Sequence, residues 1–156
     1  MSKPRSMNIV AFDLGRSCGW ATNYPLAPRR WGCEHFSEVR EHRLAEFMRW
    51  LRANRRWMAK VDAVVFETPF VRGRAATRAL WGMAGVLEAC ASDMKLPVVD
   101  VAVPTIKKFA AGNGNAPKDA MVAAARRLGY RGRNADEADA YCLLKYAEAN
   151  LEKVTK

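Results

Sequence analysis

Residues 8–15 read Asn8-Ile9-Val10-Ala11-Phe12-Asp13-Leu14-Gly15, an apolar run that ends in an acidic residue and a turn. Aliphatic and aromatic residues in a run of this length predict a buried strand. A second compact run, from Asp62 to Phe66, ends in the same way at Glu67 and leads into a loop marked by Pro69 and Gly73. Two buried strands that each end in a carboxylate are therefore the framework of the expected fold.

Strand and helix patterns alternate around these two runs. Ser37 can cap the helix that follows the opening strands, and Asn134 with Glu137 forms a variant of the capping box for the last helix. The other expected elements are strands at 18–22 and 30–36, a helix at 38–60, a helix at 74–94, a strand at 96–101, a short helix after Pro104, a helix at 117–128 and a helix from 134 to about 151. We predict an α/β fold with a five-stranded mixed sheet, whose first three strands form an antiparallel meander, flanked by helices.

The composition is that of one basic domain. The chain has 156 residues, with 26 Lys and Arg against 16 Asp and Glu, which gives a formal net charge of +10. This length predicts a single domain, over 7–152, after a flexible lead at 1–6. The charge favours a polyanionic partner such as nucleic acid.

Membrane insertion and export are not expected. The apolar stretch from Val98 to Val103 is interrupted by Asp100 and is far shorter than the roughly 20 residues that span a bilayer. The basic start of the chain leads into a strand-like run and not into an apolar signal segment. Scattered cysteines without a CxxC pair are typical of reduced thiols in a cytosolic protein, and they are Cys18, Cys33, Cys90 and Cys142.

Four carboxylates occupy positions that point to shared chemistry. Asp13 and Glu67 end the two buried strands, and Asp136 and Asp139, spaced i and i+3, share one face of the last helix. Each has an ordinary alternative role, because carboxylates open turns, end strands and favour helix N-termini. If the two strands are neighbours at the centre of the sheet, however, four like charges meet, and protonation or bound cations must relieve the repulsion.

The ligand chemistry indicates the kind of cation. Oxygen ligands without a nearby His or Cys suit a hard divalent ion, Mg²⁺ or Mn²⁺, better than zinc. Two such ions about 4 Å apart can clamp a phosphodiester, one activating water and the other stabilising the leaving oxygen. A basic protein with this acidic cluster is predicted to be a nuclease.

Several motifs together resemble the RuvC-type Holliday junction resolvases of the RNase H-like superfamily, in particular the shorter members encoded by phages. The resemblance runs from about Ile9 to Leu144. Its carriers are Phe12-Asp13-Leu14-Gly15, Gly19-Trp20-Ala21, Val64-Val65-Phe66-Glu67, Lys107 and Lys108 with Gly112-Asn113-Gly114 and Lys118, and Ala135-Asp136-Glu137-Ala138-Asp139-Ala140. Leu14 stands where the cellular enzymes carry Pro, and the spacing from Asp13 to Gly19 is one residue shorter. Both departures resemble phage-type members, whose substrate range is broader.

The resemblance implies a reaction and a set of site residues. The reaction is Mg²⁺-dependent hydrolysis of DNA near a branch point such as a four-way junction, leaving a 5′-phosphate. Two ions per site are implied, with Mn²⁺ able to substitute and no nucleotide cofactor. The implied metal-binding and catalytic residues are Asp13, Glu67, Asp136 and Asp139, with Lys118 as a further catalytic residue. The implied DNA contacts are Phe70, Lys107 and Lys118, and the neighbouring basic residues Lys108, Arg72 and Arg74 extend them.

The resemblance also implies a homodimer, because two symmetric nicks in a junction need two sites. The helix at 74–94 is the expected contact, since Gly82 and Gly85 flank its apolar stripe. The implied location is the cytoplasm of a bacterial cell, or of the host if the protein is phage-encoded.

Other interpretations of the same residues remain open. Phe70 either fills the core or stacks on an unpaired base, and the lysines are either phosphate contacts or a solvated surface. The alternative functions are an RNase H-like nuclease on RNA–DNA hybrids and a non-catalytic module that binds branched DNA. The motif at 12–15 also resembles the phosphate loop of actin-like ATPases, but those proteins need a second nucleotide-binding lobe, which 156 residues do not provide.

Overall fold

The computed structural model describes residues 5–70 and 73–154, with side chains up to Leu151. Its strands are β1 (Ile9–Asp13), β2 (Ser17–Thr22), β3 (Trp31–His35), β4 (Ala63–Glu67) and β5 (Val98–Val101). Its helices are α1 (Arg40–Ala53), α2 (Arg55–Met58), α3 (Arg74–Asp93), α4 (Val103–Ala111), α5 (Lys118–Arg127) and α6 (Ala135–Val154). Most of the predicted lead at 1–6 lies outside the described residues, and so does Arg72.

The strands form one mixed sheet in the order β3-β2-β1-β4-β5. The pairs β1–β2 and β2–β3 are antiparallel, whereas β1–β4 and β4–β5 are parallel. The parallel pairs follow from the helices that precede β4 and β5, because parallel strands need a crossover connection. The predicted five-stranded sheet with its opening meander is confirmed, and β1 is the central strand, next to β4.

Strand alternation divides the core into two layers. Ile9 and Ala11 pack on the side of α4, α5 and α6, whereas Val10 and Phe12 pack on the side of α1 and α3. This is the expected period of two along a strand that is buried on both faces. The alternation places Asp13, two residues after Ala11, on the α6 side of the sheet.

The first helix differs from the prediction, which was one helix over 38–60. The structure has two helices, α1 and α2, separated at Asn54. The Asn54 side-chain amide donates to the Trp50 carbonyl at 2.9 Å and its oxygen accepts from the Trp57 indole at 2.8 Å. An Asn that bonds locally in this way competes with continuous helix. The predicted cap was also wrong, since α1 begins after Val39 without a side-chain cap, and Ser37 Oγ instead accepts from the Val39 N–H at 3.1 Å.

Two of the helical tryptophans pack inside the domain. Trp50 and Trp57 lie 5.6 and 5.7 Å, ring centre to ring centre, from Trp20 of β2. Trp81 of α3 is instead 46% exposed. Gly82 contacts Leu44 of α1, because a Cβ there would meet the Leu44 side chain at 3.1 Å, while a Cβ on Gly85 would meet nothing within 4 Å. Gly82 therefore serves packing within the chain, and of the two glycines only Gly85 faces open space.

The cysteines are unpaired, with Cys18 and Cys142 buried and Cys33 and Cys90 half-buried. In the part of the chain that the structure describes, the helices are too short or too polar to cross a membrane.

Candidate metal centre

Asp13 and Glu67 end adjacent parallel strands at the same edge of the sheet. The register pairs Phe12 with Phe66. Asp13 and Glu67, the next residues of the two strands, therefore end them at the same level. Both are half-buried, and the two carboxyl groups adjoin each other, an interaction that raises the pKa of Asp13 and lowers that of Glu67. The predicted meeting of the two strand ends is therefore observed.

Gly19 brings the other two acids to Asp13. It is the antiparallel partner of Asp13 on β2, and it faces α6. A Cβ on Gly19 would overlap the backbone carbonyl of Asp136 and lie 2.9 Å from the Glu137 nitrogen. Only a residue without a side chain lets the start of α6 lie this close to the sheet.

The start of α6 is held by Asn134 and Tyr130. Asn134 Oδ1 accepts from the N–H groups of Asp136 and Glu137 at 2.8 and 3.1 Å, which confirms the predicted cap. In a capping box the Glu side chain three residues on, here Glu137, accepts from the N–H of the cap residue. In this structure the Asn134 N–H instead donates to the Tyr130 hydroxyl at 3.0 Å. That hydroxyl lies 2.8 Å from Glu137 Oε1. Tyr130 thus joins the cap to Glu137 and fixes the first turn, on which Asp136 and Asp139 lie.

Three of the four predicted acids approach closely enough to hold one ion together. Asp13, Asp136 and Asp139 each offer a carboxylate oxygen within 4.8 Å of the others. Glu67 lies outside this group and adjoins it through its bond to Asp13. Asp13 is therefore the carboxylate that both halves of the acidic cluster share.

Burial and mutual repulsion make the cluster hard to ionise. Burial, followed by the charges of Glu67 and Asp139, raises the pKa of Asp13 well above 3.8. Burial also raises the pKa of Glu67 above 4.5, although the bond from Asp13 and the charges of Lys107 and Lys118 oppose the rise. Burial and the charge of Glu67 raise the pKa of Asp139 to about 6. At neutral pH the cluster is short of positive charge, which is the electrostatic condition that a divalent cation relieves.

Lysines line one side of the acidic cluster. Lys118 Nζ lies 3.4 Å from Asp136 Oδ1, and although burial opposes the change, the charges of Asp136 and Asp139 raise the pKa of Lys118. Lys107, Lys118, Glu67 and Asp139 all line one cleft of about 370 Å³ between α4, α5 and the sheet edge. Lys107 and Lys118 thus lie beside the acids, and we call this opening the acidic cleft.

Three of the remaining predicted DNA contacts, Phe70, Lys108 and Arg74, are at exposed positions. Phe70 is 83% exposed, so it does not fill the core. Lys108 is exposed on α4, and Arg74 is exposed at the first residue of α3. Arg72 lies outside the described residues.

The sequence did not reveal the roles of two site residues, Gly19 and Tyr130. Gly19 stood in a motif, but its contact with Asp136 depends on how α6 crosses the sheet. Tyr130 carried no local signal, since it precedes the cap by four residues. The one signal for Tyr130 in the sequence is its position directly after Gly129, at the end of the helix predicted at 117–128.

No family model matches the sequence, and no curated protein matches it significantly. Solved structures do match. The structure of Thermus thermophilus RuvC aligns with a TM-score of 0.75 at 19% identity, covering 96% of this chain and 98% of that one. T. thermophilus RuvC in complex with a Holliday junction substrate gives 0.70 at 20% identity, covering 92% and 96%. The yeast mitochondrial Holliday junction resolvase gives 0.63 at 11% identity, covering 95% and 81%. The chain therefore has the RNase H-like fold of RuvC.

Proposed function

We propose that the protein is a metal-dependent endonuclease that cuts Holliday junctions and other branched DNA. The observation that carries the proposal is the acidic cluster of Asp13, Glu67, Asp136 and Asp139, which lies at the strand ends of a RuvC-like sheet. Similar proteins include one solved with a Holliday junction substrate and one named as a Holliday junction resolvase. A fold alone does not specify an activity, so the acids and the lysines beside them are the stronger argument.

The residues of the cluster fit hard divalent ions. Each ligand is a carboxylate, three of them converge within 4.8 Å, and oxygen-only sites favour Mg²⁺ or Mn²⁺. Asp13, Asp136 and Asp139 would hold one ion, and Glu67 with the shared Asp13 would contribute to a second. Bound divalent ions in such a pair activate the attacking water and stabilise the leaving oxygen of a phosphodiester.

The side chains of the protein have separate tasks at the scissile phosphate. Asp13 binds a cation only in its carboxylate form, so its raised pKa makes ion binding depend on pH. Lys118, within reach of Asp136, contributes a fixed positive charge where negative charge grows on the phosphate. The half-buried position of the acids limits the access of bulk water, which strengthens these interactions.

The rest of the DNA surface follows from charge and exposure. Lys107 and Lys118 line the acidic cleft, and we assign the exposed Lys108 and Arg74, together with Arg72, to phosphates beyond it. Phe70 lies 83% exposed three residues after Glu67, a position suited to stacking on a base at a branch point. The net charge of +10 provides long-range attraction to the polyanion.

A homodimer is part of the proposal. Two symmetric nicks in a four-way junction need two sites related by a two-fold axis. Trp81 is 46% exposed, and Gly85, one turn later on α3, has open space around its Cα. A large aromatic ring beside a flat patch of helix is typical of an interface core, so we place the dimer contact on this face of α3.

A comparison of substrates tests the function. The protein is incubated with Mg²⁺ and with labelled four-way, three-way, flap, linear duplex and RNA–DNA hybrid substrates. The proposal expects paired nicks near the branch of the four-way junction, ends that carry a 5′-phosphate, and little cutting of linear duplex. Preferred cutting of the hybrid would favour an RNase H-like activity, and binding without cutting would favour a non-catalytic module.

A further inference from the structure

A basic opening lies between the first turns of α1 and α3, apart from the acidic cleft. It measures about 370 Å³, and Arg40, Arg43 and Arg78 line it. Its other walls are small side chains of α3 and the acid that precedes α1, which are Ala75, Ala76, Ala79 and Glu38. We call this opening the arginine cleft. Three guanidinium groups therefore surround one opening, and the α3 wall between them leaves room for a ligand.

The charges of the arginine cleft are not neutralised by the rest of the described chain. Among the side chains that the structure describes, 5–70 and 73–151, no carboxylate forms an ion pair with Arg40, Arg43 or Arg78. Glu38, the acid that lines the cleft, pairs with Arg16 instead. An arginine does not lose its proton in a protein, so protonation cannot relieve the repulsion as it can for the acids. An anion that binds in the cleft would relieve it.

The guanidinium groups are arranged to hold such an anion. Arg43 is fixed in place, because its Nε donates to the Ser37 carbonyl at 2.9 Å and its Nη2 donates to the Glu38 carbonyl at 3.1 Å. Arg40 is also half-buried, whereas Arg78 is exposed. The side chains of Arg40 and Arg78 donate no hydrogen bond within the described part of the chain. Their donors are available, and the planar fork of arginine matches the oxygens of a phosphate.

The arginine cleft lies at the same edge of the sheet as the acids, on the opposite face. β1 and β3 run in the same direction because both are antiparallel to β2, so α1 begins at the edge where β1 ends, and α3 follows the end of β4 at that edge. Asp13 is on the α6 side of the sheet, while α1 and α3 pack on the other side. The two helix layers are about 20 Å apart, on the order of two helix diameters.

We propose that the arginine cleft binds the phosphate backbone of a second arm of branched DNA while the acids hold the arm being cut. This inference rests on the proposed function. The arms of a junction diverge from the branch point, so sites on opposite faces of one sheet edge suit two arms better than one straight duplex. Contacts to phosphates carry no base preference. The cleft would therefore make affinity depend on the shape of the DNA and not on its sequence.

Binding in EDTA tests the arginine cleft without cleavage. The double variant Arg40→Gln/Arg78→Gln removes two charges and keeps residues of similar helix propensity. Its affinity for a four-way junction should fall on the order of tenfold, and the slope of log affinity against log salt should fall by about two. Its affinity for a short linear duplex, which has no second arm, should fall only about twofold through the loss of long-range attraction. Fluorescence anisotropy measures both substrates.

Arg52→Gln/Arg56→Gln is the matched control, because it removes the same charge elsewhere. Both residues are exposed, and Arg52 lies about 18 Å along α1 from Arg40. This variant should lose about twofold in affinity for the junction and for the duplex alike. Equal losses of junction affinity in the two double variants would overturn the proposal and assign the arginine cleft to an anion other than DNA.

Neutral phosphates identify the arm that the arginine cleft contacts. Junctions carry single methylphosphonate linkages at successive positions of each arm. Linkages at one or two positions of an uncut arm should weaken wild-type binding about threefold. The same linkages should leave binding by Arg40→Gln/Arg78→Gln unchanged, because the partner of the phosphate is already lost. Coupling confined to the arm that contains the scissile phosphate, or no coupling at any position, would contradict the proposal.

The results separate the inference from the function. At saturating protein and in Mg²⁺, Arg40→Gln/Arg78→Gln should cut the bound junction at nearly the wild-type rate, because its acids are intact. A wild-type protein that nicks four-way junctions but shows no coupling in an uncut arm would contradict the role of the arginine cleft while the nuclease stands. A wild-type protein that cuts no substrate would remove the proposed function, and the coupling measured in EDTA would still decide whether a second arm lies in the cleft.

Discussion

Gly19 of β2 lies against the backbone carbonyl of Asp136, so closely that a Cβ would overlap it. Gly19 is also the cross-strand partner of Asp13. One contact between backbone atoms therefore sets how far the first turn of α6 stands from the end of β1. The convergence of Asp13, Asp136 and Asp139 depends on the absence of a side chain at position 19.

Gly19→Ala should separate α6 from the sheet and weaken metal binding. Forcing a methyl group into a filled contact costs about 1–3 kcal/mol or more, which should lower the Tm by several degrees and abolish any Mg²⁺-induced rise in Tm. Differential scanning calorimetry with and without Mg²⁺ measures both effects. The control is His42→Ala at an exposed position of α1, where the higher helix propensity of Ala should leave the Tm equal or slightly higher. Equal behaviour of the two variants would refute the role of Gly19.

The metal-free protein should be destabilised by its own acids as the pH rises. Burial raises the pKa of Asp13 well above 3.8 and that of Asp139 to about 6, so the native state holds protons that the unfolded state has already lost. The free energy of unfolding should therefore fall as the pH rises from about 4 through 6. Asp13→Asn removes one such charge, and its Tm advantage over the wild type should grow from near zero at pH 4 to about 3–6 °C at pH 8.

Added Mg²⁺ should reverse this order at pH 8, since it stabilises the wild type by binding the native state and has one ligand fewer in Asp13→Asn. Melting curves at pH 4, 6 and 8 in EDTA and in Mg²⁺ measure the effect. A difference between the two proteins that is independent of pH would show that Asp13 is not held protonated by its surroundings.

The fold and most of the site were predictable from the sequence, because the signals were local. The apolar runs that end at Asp13 and Glu67 and the cap at Asn134 identified the strands and the helix on which the acids lie. The sequence did not predict that Glu67 lies outside the group formed by Asp13, Asp136 and Asp139, because this depends on the direction of a side chain at a strand end. The break at Asn54 was missed because the apolar periodicity continues across it, and only the bonds of its side chain interrupt the helix.

Lys118 should neutralise one phosphate of bound DNA. It lines the acidic cleft, so Lys118→Ala should weaken junction binding and reduce the slope of log affinity against log salt concentration by about one. Titrations by fluorescence anisotropy at several salt concentrations, in EDTA, give the slope. Lys60→Ala is the control, because Lys60 precedes β4 and therefore lies at the opposite end of that strand from Glu67. An unchanged slope for Lys118→Ala would place this lysine off the DNA.

Phe70→Ala should damage activity and not folding. The side chain is 83% exposed, so its removal should change the Tm by no more than about 1–2 °C, whereas truncation of a core Phe costs about 3–5 kcal/mol. Loss of a base stack should slow junction cleavage about tenfold. Phe66→Ala, in the core at 2% exposure, provides the opposite pattern. A strongly lowered Tm with normal cleavage by the folded fraction would contradict the proposed DNA contact.

The most direct test of the central claim is the Mg²⁺-dependent cleavage of a four-way junction by Asp13→Asn under single-turnover conditions. Asp13 is the carboxylate shared by Glu67 and by the pair Asp136 and Asp139, so its loss should lower the rate at least a thousandfold, on the order of one lost catalytic ligand. Junction binding in EDTA should persist or tighten, because one negative charge facing the phosphate is gone. The control Asp93→Asn, at the end of α3 in an exposed ion pair with Arg55, should cut like the wild type. Cleavage by Asp13→Asn at the wild-type rate would contradict the account.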